Sequence, residues 1–432
     1  MVSKRDFLKL TAGGVIGAAG MALYNNSNNA DKPAATASST TGLSDITGGM
    51  TPISVDERKA RIAKVQKQMQ ANGISALVVE PGSSMVYFSG VRWWRSERLT
   101  ALVIPREGDI AFVTPFFEEP SVRESMTFGE DVRPWHEHES PFDLVASIIK
   151  DRGLKSGKIA FEDTVRFFVQ HSVMQSLGGD YTATSGRDVV SACRMYKTTH
   201  ELELMHKANE ITLKAYAHTH AQLEPGMTKR DISGIMSGAQ RALGGSSLFA
   251  MALIGESSAY PHGTKKTKPL AEGEILLMDC GAEVLDYESD ISRTFVIGEP
   301  SKHQREVWDT VRKGQQIAYE TATLGTPTGK VDDAVRAYYE SLGYGPGYAT
   351  PGLSHRTGHG IGMDGHELVN FVHGEKTPLE SGMCFSNEPG IYIYGKFGVR
   401  LEDCMHMTKN GMQWFTEPPV SLDDPIGTLV DL

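Results

Sequence analysis

Apolar positions recur along this chain at two spacings, and the changes between them mark its parts. Ile62, Val65 and Met69 fall at helical spacing behind Ser54-Val-Asp-Glu57, a capping-box pattern, and Asn72-Gly73 closes the segment, which predicts a helix. Continuous apolar runs follow. ALVVE reads as a buried strand, LTALVIP and GDIAFVTP as a hairpin around Arg106-Glu107-Gly108, and FDLVASIIKD as a further helix. Thr198-Thr-His-Glu201 repeats the capping-box pattern at the head of a long helix that Pro225-Gly226 ends, and a second helix runs from about Lys229 to Leu243. GGSSLFAMALIGESSAYPHG then supplies a strand and a loop ending in Pro261-His262-Gly263. Helices near 302–324 and 331–342 repeat this arrangement, and Gly- and Pro-rich GYGPGYATPG leads to a second histidine loop, Gly358-His359-Gly360.

Each histidine loop precedes a pair of apolar strands that carries acids. In LLMDCGAEVLDYESDISRTF the chain turns through Leu285-Asp286-Tyr287, and Asp279 and Asp290 fall on neighbouring strands whose carboxylates can meet on one face. GMCFSNEPGIYIYGKFGVRLEDCMHMT repeats the pattern with Glu388 and Glu402. Leu270-Ala-Glu-Gly273 stands six residues before Asp279, and Leu379-Glu-Ser-Gly382 six before Glu388, so an internal duplication is expected. Two copies about a pseudo-twofold axis would bring four carboxylates to one midline, where repulsion keeps some protonated unless cations intervene. Oxygen donors with one imidazole suit a pair of divalent ions.

The length, 432 residues of ordinary globular composition, fits two domains. A net charge of −10 without a basic block excludes nucleic acid as a partner. The four cysteines show no CxxC spacing and read as buried thiols, not as a metal site. Within residues 1–24, a basic start precedes a mildly apolar Gly/Ala-rich stretch too short and too weakly apolar for a membrane span. Residues 25–52, rich in Asn, Ala, Ser, Thr and Gly, read as a disordered tether. Ala35-Thr36-Ala37 offers a cleavage site, and an uncleaved N-terminal anchor is the alternative.

Asp279 through Asp290, GHGIGMDGHE, Glu388-Pro389-Gly390 and Val399-Arg400-Leu401-Glu402-Asp403 resemble the pita-bread metallopeptidases, the family of methionine aminopeptidase, aminopeptidase P and prolidase. The prolidase and aminopeptidase P branch fits best. The resemblance runs from about Ser54 to near the C-terminus and implies an α/β (α+β) chain, with a creatinase-like α/β domain over 53–196 and a pita-bread domain with a pseudo-twofold internal repeat over 197–432. It also implies that Asp290 and Glu402 bridge two divalent ions, that Asp279 holds one and that His359 with Glu388 holds the other. Manganese is the expected metal, with cobalt, zinc and iron close behind. Glu388 is the implied handler of the water proton, and His262 and His366 match two substrate-contacting histidines. His355 is expected to orient a ligand or pocket wall. Arg400 either pairs with Asp403 or reaches substrate at the pocket rim.

The expected reaction is hydrolysis of the bond before proline by a metal-bridging hydroxide, on a peptide with proline second. Two other readings use the same fold: an elimination resembling that of dimethylsulfoniopropionate lyases, for which Trp93 and Trp94 would make an aromatic wall, and a metal-free binding module, against which the full ligand set argues. In the creatinase-like domain, Trp93 and Trp94 are candidate pocket walls at a domain or dimer interface, and the resemblance implies a homodimer. Ser3-Lys4-Arg5-Asp6-Phe7-Leu8-Lys9 is similar to a twin-arginine export signal, with Lys4 in the first arginine's place. The expected location is periplasmic or extracytoplasmic, tethered to the membrane if the segment stays uncleaved.

Overall fold

The computed structural model describes residues 40–430. The export-signal-like segment 1–24 and the tether up to residue 39 lie outside the described residues. The rest of that tether departs from expectation. The Ile46 N–H donates to the Leu243 carbonyl at 3.0 Å, and Leu43, Ile46 and Met50 pack against the core that contains Leu243. Three spaced apolar side chains hold this stretch to the fold, a local signal that the polar average over 25–52 conceals.

The first layer is a six-stranded sheet of β1 (Ile74–Val79), β2 (Ala101–Pro105), β3 (Ala111–Pro115), β4 (Asp131–Trp135), β5 (Gly157–Phe161) and β6 (Tyr181–Ser185), in the order β4-β3-β2-β1-β5-β6. β1 is buried along its whole length because both faces are covered. Ala76 and Val78 share a core with helices Pro141–Asp151 and Phe167–Leu177, while Leu77 and Val79 share one with helix Val55–Ala71. That last helix starts on the capping box read from the sequence: Glu57 N–H donates to Ser54 Oγ at 3.2 Å, and Ser54 N–H to Glu57 Oε2 at 2.8 Å.

The second part uses one element order twice. Helices Thr199–His220 and Lys229–Ala242 precede an antiparallel sheet of β7 (Ser246–Ile254), β8 (Ile275–Val284), β9 (Tyr287–Glu288) and β10 (Ile291–Val296), ordered β10-β8-β7 with β9 on β8. Helices Lys302–Thr321 and Gly329–Ser341 precede β11 (Gly358–Gly360), β12 (Glu367–Phe371), β13 (Cys384–Asn387), the ribbon β14 (Gly390–Ile393) and β15 (Phe397–Arg400), then β16 (Asp403–Thr408) and β17 (Gly411–Trp414). This sheet runs β12-β11-β13-β16-β17.

The two halves meet where β10 runs beside residues 400–403. Glu402 N–H donates to the Ser292 carbonyl at 3.1 Å, and Thr294 Oγ1 to the Arg400 carbonyl at 2.8 Å. Beneath that seam Arg293 and Asp403 form an ion pair of 2.7 Å with both side chains fully buried. Asp403 therefore takes Arg293 as its cation, and the expected alternative of Arg400 is not used. Arg400 and Asp403 lie an odd number of residues apart in extended chain, so their side chains leave opposite faces. Asp403 also accepts from Gln315 Nε2 at 2.9 Å and Thr416 Oγ1 at 2.7 Å.

This pair gives the first test. Arg293→Met leaves a carboxylate buried without its cation and should cost about 3–5 kcal/mol of unfolding free energy, whereas replacing both partners by apolar residues should restore much of that loss. Urea denaturation at fixed metal concentration measures both variants, and a single variant as stable as the double would show that the seam does not depend on the pair.

Candidate metal centre

Strand register explains why the acids meet. Asp279 lies on β8 opposite Ser292 of β10, and Asp290 stands two residues before Ser292, so both carboxylates leave the same face. Glu388 and Glu402 sit one step beyond the Asn387–Asp403 pair of β13 and β16. The second pair of acids is therefore directly opposed while the first is offset, and the two copies differ in detail.

His359 lies at the centre. Its Nε2 is 3.7 Å from Asp290 Oδ2, 3.5 Å from Glu388 Oε1 and 3.9 Å from Glu402 Oε1. Nδ1 is 3.1 Å from the Gly360 carbonyl, which can only accept, so Nδ1 carries the proton and the Nε2 lone pair points at the acids. Burial, then the neighbouring His366 and Arg356, hold His359 well below the usual imidazole range. The carboxyls shift the other way. Burial first, then Glu402 and Asp279, push Asp290 well up; burial, then Glu388 and Asp279, do the same to Glu402. Glu388 is pushed to about 7 by burial, against the pull of Arg400.

The donor set fits a divalent cation. One ligand atom each from Asp290, His359 and Glu402 falls within 4.8 Å of the others, and Asp290 Oδ1 and Glu402 Oε1 are buried without a hydrogen-bond partner. Buried carboxylate oxygens lacking donors cost free energy that a cation would offset.

Asp279 faces an arginine as well as the acids. Arg400 Nη2 lies 2.5 Å from Asp279 Oδ2, and its Nε donates to Ser292 Oγ at 2.8 Å. Ser292 Oγ in turn lies 2.7 Å from Glu402 Oε2 and 3.1 Å from Asp279 Oδ1. Arg400 is thus buried among the acids and not at a pocket rim. Its Nη1 is 3.3 Å from both Tyr392 Oη and the Pro261 carbonyl, which ties it to the loop carrying His262. His355 Nε2 is 2.8 Å from Tyr392 Oη, and burial with Arg400 drives this imidazole down to about 3. His366 packs edge-on to His359, ring centroids 4.2 Å apart, and burial followed by Arg356 lowers it. His366 keeps its outer edge accessible and lines one cavity, and His262, which is exposed, lines another.

Trp93 and Trp94 do not line either cavity. They stack on each other at 4.7 Å, Trp93 Nε1 reaches Glu118 at 3.4 Å, and Trp94 is 65% exposed. Val91 and Leu99 are buried at the ends of their loop, Trp93 packs partly buried against the core, and Trp94 is left outside. Sequence reasoning passed over Ser292, Tyr392 and Arg356. Pairing β8 with β10 residue by residue would have placed Ser292 opposite Asp279. Tyr392, in a GIYIY alternation, looks like any core aromatic, and Arg356 carries no local signal beyond its place between His355 and His359.

Residues 203–409 match the model of metallopeptidase family M24, and residues 61–196 match the creatinase/prolidase N-terminal domain. An Xaa-Pro dipeptidase of Lactobacillus delbrueckii subsp. lactis is 30% identical over 357 residues, covering 82% of this chain and 95% of its own. Among solved structures, dipeptidase PepE from Mycobacterium ulcerans is similar at 30% identity with a TM-score of 0.80, over 86% of this chain and 99% of that one. Recombinant prolidase from Thermococcus sibiricus is similar at 30% identity and a TM-score of 0.76, over 84% and 97%.

The raised carboxyls make metal removal visible as a pH effect. Asp290, Glu388 and Glu402 hold protons more tightly folded than unfolded, so without metal their contribution is complete below the ordinary carboxyl value and is lost as pH rises, for Glu388 between 4.5 and about 7. The midpoint of thermal unfolding of chelated protein should fall across that window, less steeply in Asp290→Asn, and added divalent ion should flatten it. A chelated protein with no such slope would mean that the acids are not forced together.

Proposed function

The chain belongs to metallopeptidase family M24, in its prolidase and aminopeptidase P branch, and from that premise we propose that it hydrolyses the bond before proline in short Xaa-Pro peptides. Two divalent ions, assigned as manganese, would be held by Asp279, Asp290, His359, Glu388 and Glu402, a donor set of carboxylate oxygens with one imidazole. The observation that carries this reading is the gathering of three carboxylates within 3.9 Å of one deprotonated imidazole nitrogen, at a place where two of their oxygens lack donors. The relative named Xaa-Pro dipeptidase supports the choice of bond.

When bound, the ions supply Lewis acidity, which makes water a nucleophile near neutral pH and polarises the scissile carbonyl. The rest falls to side chains. Glu388, whose Oε1 stands 3.5 Å from His359 Nε2, accepts a proton from the attacking water and delivers it to the proline nitrogen, which has no hydrogen of its own. His366, lowered by burial, stays neutral and keeps an N–H for the carbonyl oxygen as it gains charge, with His262 on the other side. Arg400 and Ser292 fix the orientations of Asp279 and Glu402, and Tyr392 joins Arg400 to His355.

We further assign a homodimer, which would cover the exposed Trp94, and a site outside the cytoplasm reached through the signal-like pattern at Ser3–Lys9.

The purified protein with Mn²⁺ should release proline from an Xaa-Pro dipeptide and cleave a longer Xaa-Pro peptide at the same bond, while leaving Xaa-Ala analogues largely intact. His359→Ala should lose metal and activity together. His366→Ala should keep its metal by elemental analysis and lose about 10²–10⁴-fold in kcat. A metal-loaded protein that cleaves none of these, or cleaves Xaa-Ala as fast, overturns the assignment.

A further inference from the structure

His262 stands on an exposed turn of the first half of the repeat, and contacts from the second half hold that turn. β7 runs into a short 3-10 helix, Gly255–Ala259, in which Ser258 and Ala259 are fully buried. β15 fixes this helix from outside. Gly398 N–H donates to Ser258 Oγ at 2.8 Å, and a Cβ on Gly398 would stand 2.2 Å from the Ser258 carbonyl oxygen, so the two backbones are in direct contact.

One step further the chain leaves the core. Tyr260 is half-buried and His262 is exposed, and Gly263 N–H closes the turn onto the Tyr260 carbonyl at 2.8 Å. The turn borders a cavity of about 260 Å³ that Leu253 and Ser257 also line. It is therefore not packed on every side, and its position depends on contacts made elsewhere. Two of these come from the β14–β15 ribbon. Arg400 Nη1 reaches the Pro261 carbonyl at 3.3 Å, and the ring of Tyr394 stacks on that of Tyr260, with centroids 5.0 Å apart and planes inclined by 19°.

Tyr394 belongs to the tip of that ribbon, where Lys396 N–H donates to the Ile393 carbonyl at 2.9 Å and Gly395 takes a φ of +75°. It follows Tyr392 by two residues. Tyr392 is fully buried and its hydroxyl lies 2.8 Å from His355 Nε2, whereas Tyr394 is 54% exposed. A ring that open adds little to the core, and its contact with Tyr260 is what it brings to the fold.

We propose that Tyr394 is a positioning residue for His262: its ring, stacked on Tyr260, keeps the turn from shifting toward the cavity and holds the imidazole at the reacting carbonyl. The inference rests on the Xaa-Pro peptidase reading, in which His262 faces the carbonyl oxygen as it gains charge. Tyr394 takes no part in bond cleavage and acts only through the turn. Stacking needs the ring and not the hydroxyl, which separates its role from that of Tyr392.

The test uses the metal-loaded full chain and an Xaa-Pro dipeptide. Y394A should lose about tenfold in kcat, because a small displacement of a group at the reacting centre is costly in rate. Its metal content and unfolding midpoint should stay native, since the side chain removed is exposed. Y394F keeps the ring and should restore kcat. In the H262A background Y394A should cost less than about twofold, because a residue that acts through another then has nothing left to place. An equal loss with and without His262 overturns the proposal, and so does a kcat that Y394A leaves unchanged or that Y394F fails to restore. Hydrogen exchange reads the same contact without turnover: amides of residues 259–264 should exchange about fivefold faster in Y394A and at the native rate in Y394F. If the native protein cleaves no Xaa-Pro bond, the peptidase reading fails and exchange alone judges the contact. Unchanged exchange in Y394A overturns the proposal whether or not the protein cleaves.

Discussion

Carboxylates gathered out of water repel one another, and the catalytic half of this fold is arranged to hold them together regardless. The opposing force is the covalent and hydrogen-bonded continuity of two sheets. Asp279 and Asp290 come from the β8–β10 hairpin, Glu388 and Glu402 from the strands around β13 and β16, and the seam at Ser292 and Glu402 joins them. The Arg293–Asp403 pair lies immediately behind, with Arg293 also donating to the Glu402 carbonyl at 2.8 Å. That arginine brings one neutralised pair and several backbone contacts to the place where the halves would otherwise be pushed apart. A buried ion pair adds little net stability compared with apolar packing, but it allows only one register between its partners. A slip of one residue at this seam would turn Glu402 away from His359.

Arg400 works on the cluster side of the same seam, where it is buried. Burial disfavours its charge, yet Asp279, Tyr392 and Glu402 hold it firmly protonated. It neutralises part of the cluster without filling it, because its nitrogens reach Asp279 and Ser292 while Asp290 Oδ1 and Glu402 Oε1 remain without donors. The balance is uneven by construction. Carboxylate oxygens bonded to arginine or serine fix the orientation of their groups, and the oxygens left without donors are the ones a cation would satisfy.

The elements, and the five positions whose four acids and one imidazole the strands gather, were legible in the sequence because each has a local cause. Alternation and apolar runs mark the strands, capping boxes mark the starts of helices at Ser54 and Thr198, and matched spacing marks the two acid-bearing hairpins. What was not legible depends on pairing between distant segments. That Asp403 meets Arg293 and not Arg400 follows from which face each side chain leaves, and that in turn follows from a seam between residues far apart in the chain. Tyr392 acquires its role only when β14 brings it to His355 and Arg400. The 40–52 segment shows the converse error: an average over composition hid three well-spaced apolar anchors. Trp93 and Trp94 line neither cavity of the single chain, since an aromatic pair next to arginines says nothing about which surface it faces.

The N-terminal domain helps to place His366 through Arg194, the last residue of its helix Arg187–Arg194. This histidine immediately precedes Glu367, the first residue of β12, and Glu367 is almost wholly buried between Arg194 Nη2 at 2.5 Å and Lys197 Nζ at 2.8 Å. Burial alone would raise that carboxyl, but the two cations outweigh it and hold it at about 2. Arg194 also binds Asp364 at 2.7 Å and the Ser83 and Ser84 hydroxyls at 2.9 and 3.1 Å, which belong to the helix Ser83–Ser89 of the first domain. The turn that bears His366 is thus clamped at both sides of the histidine, at 364 and 367, by an arginine anchored in the other domain. A histidine on a glycine-bordered loop would otherwise sample many positions. Because a buried, doubly paired carboxylate is expensive to expose, the clamp favours one placement of the imidazole. The geometry between His366 and His359 therefore depends on how the N-terminal domain is seated as well as on the strands that carry the two histidines.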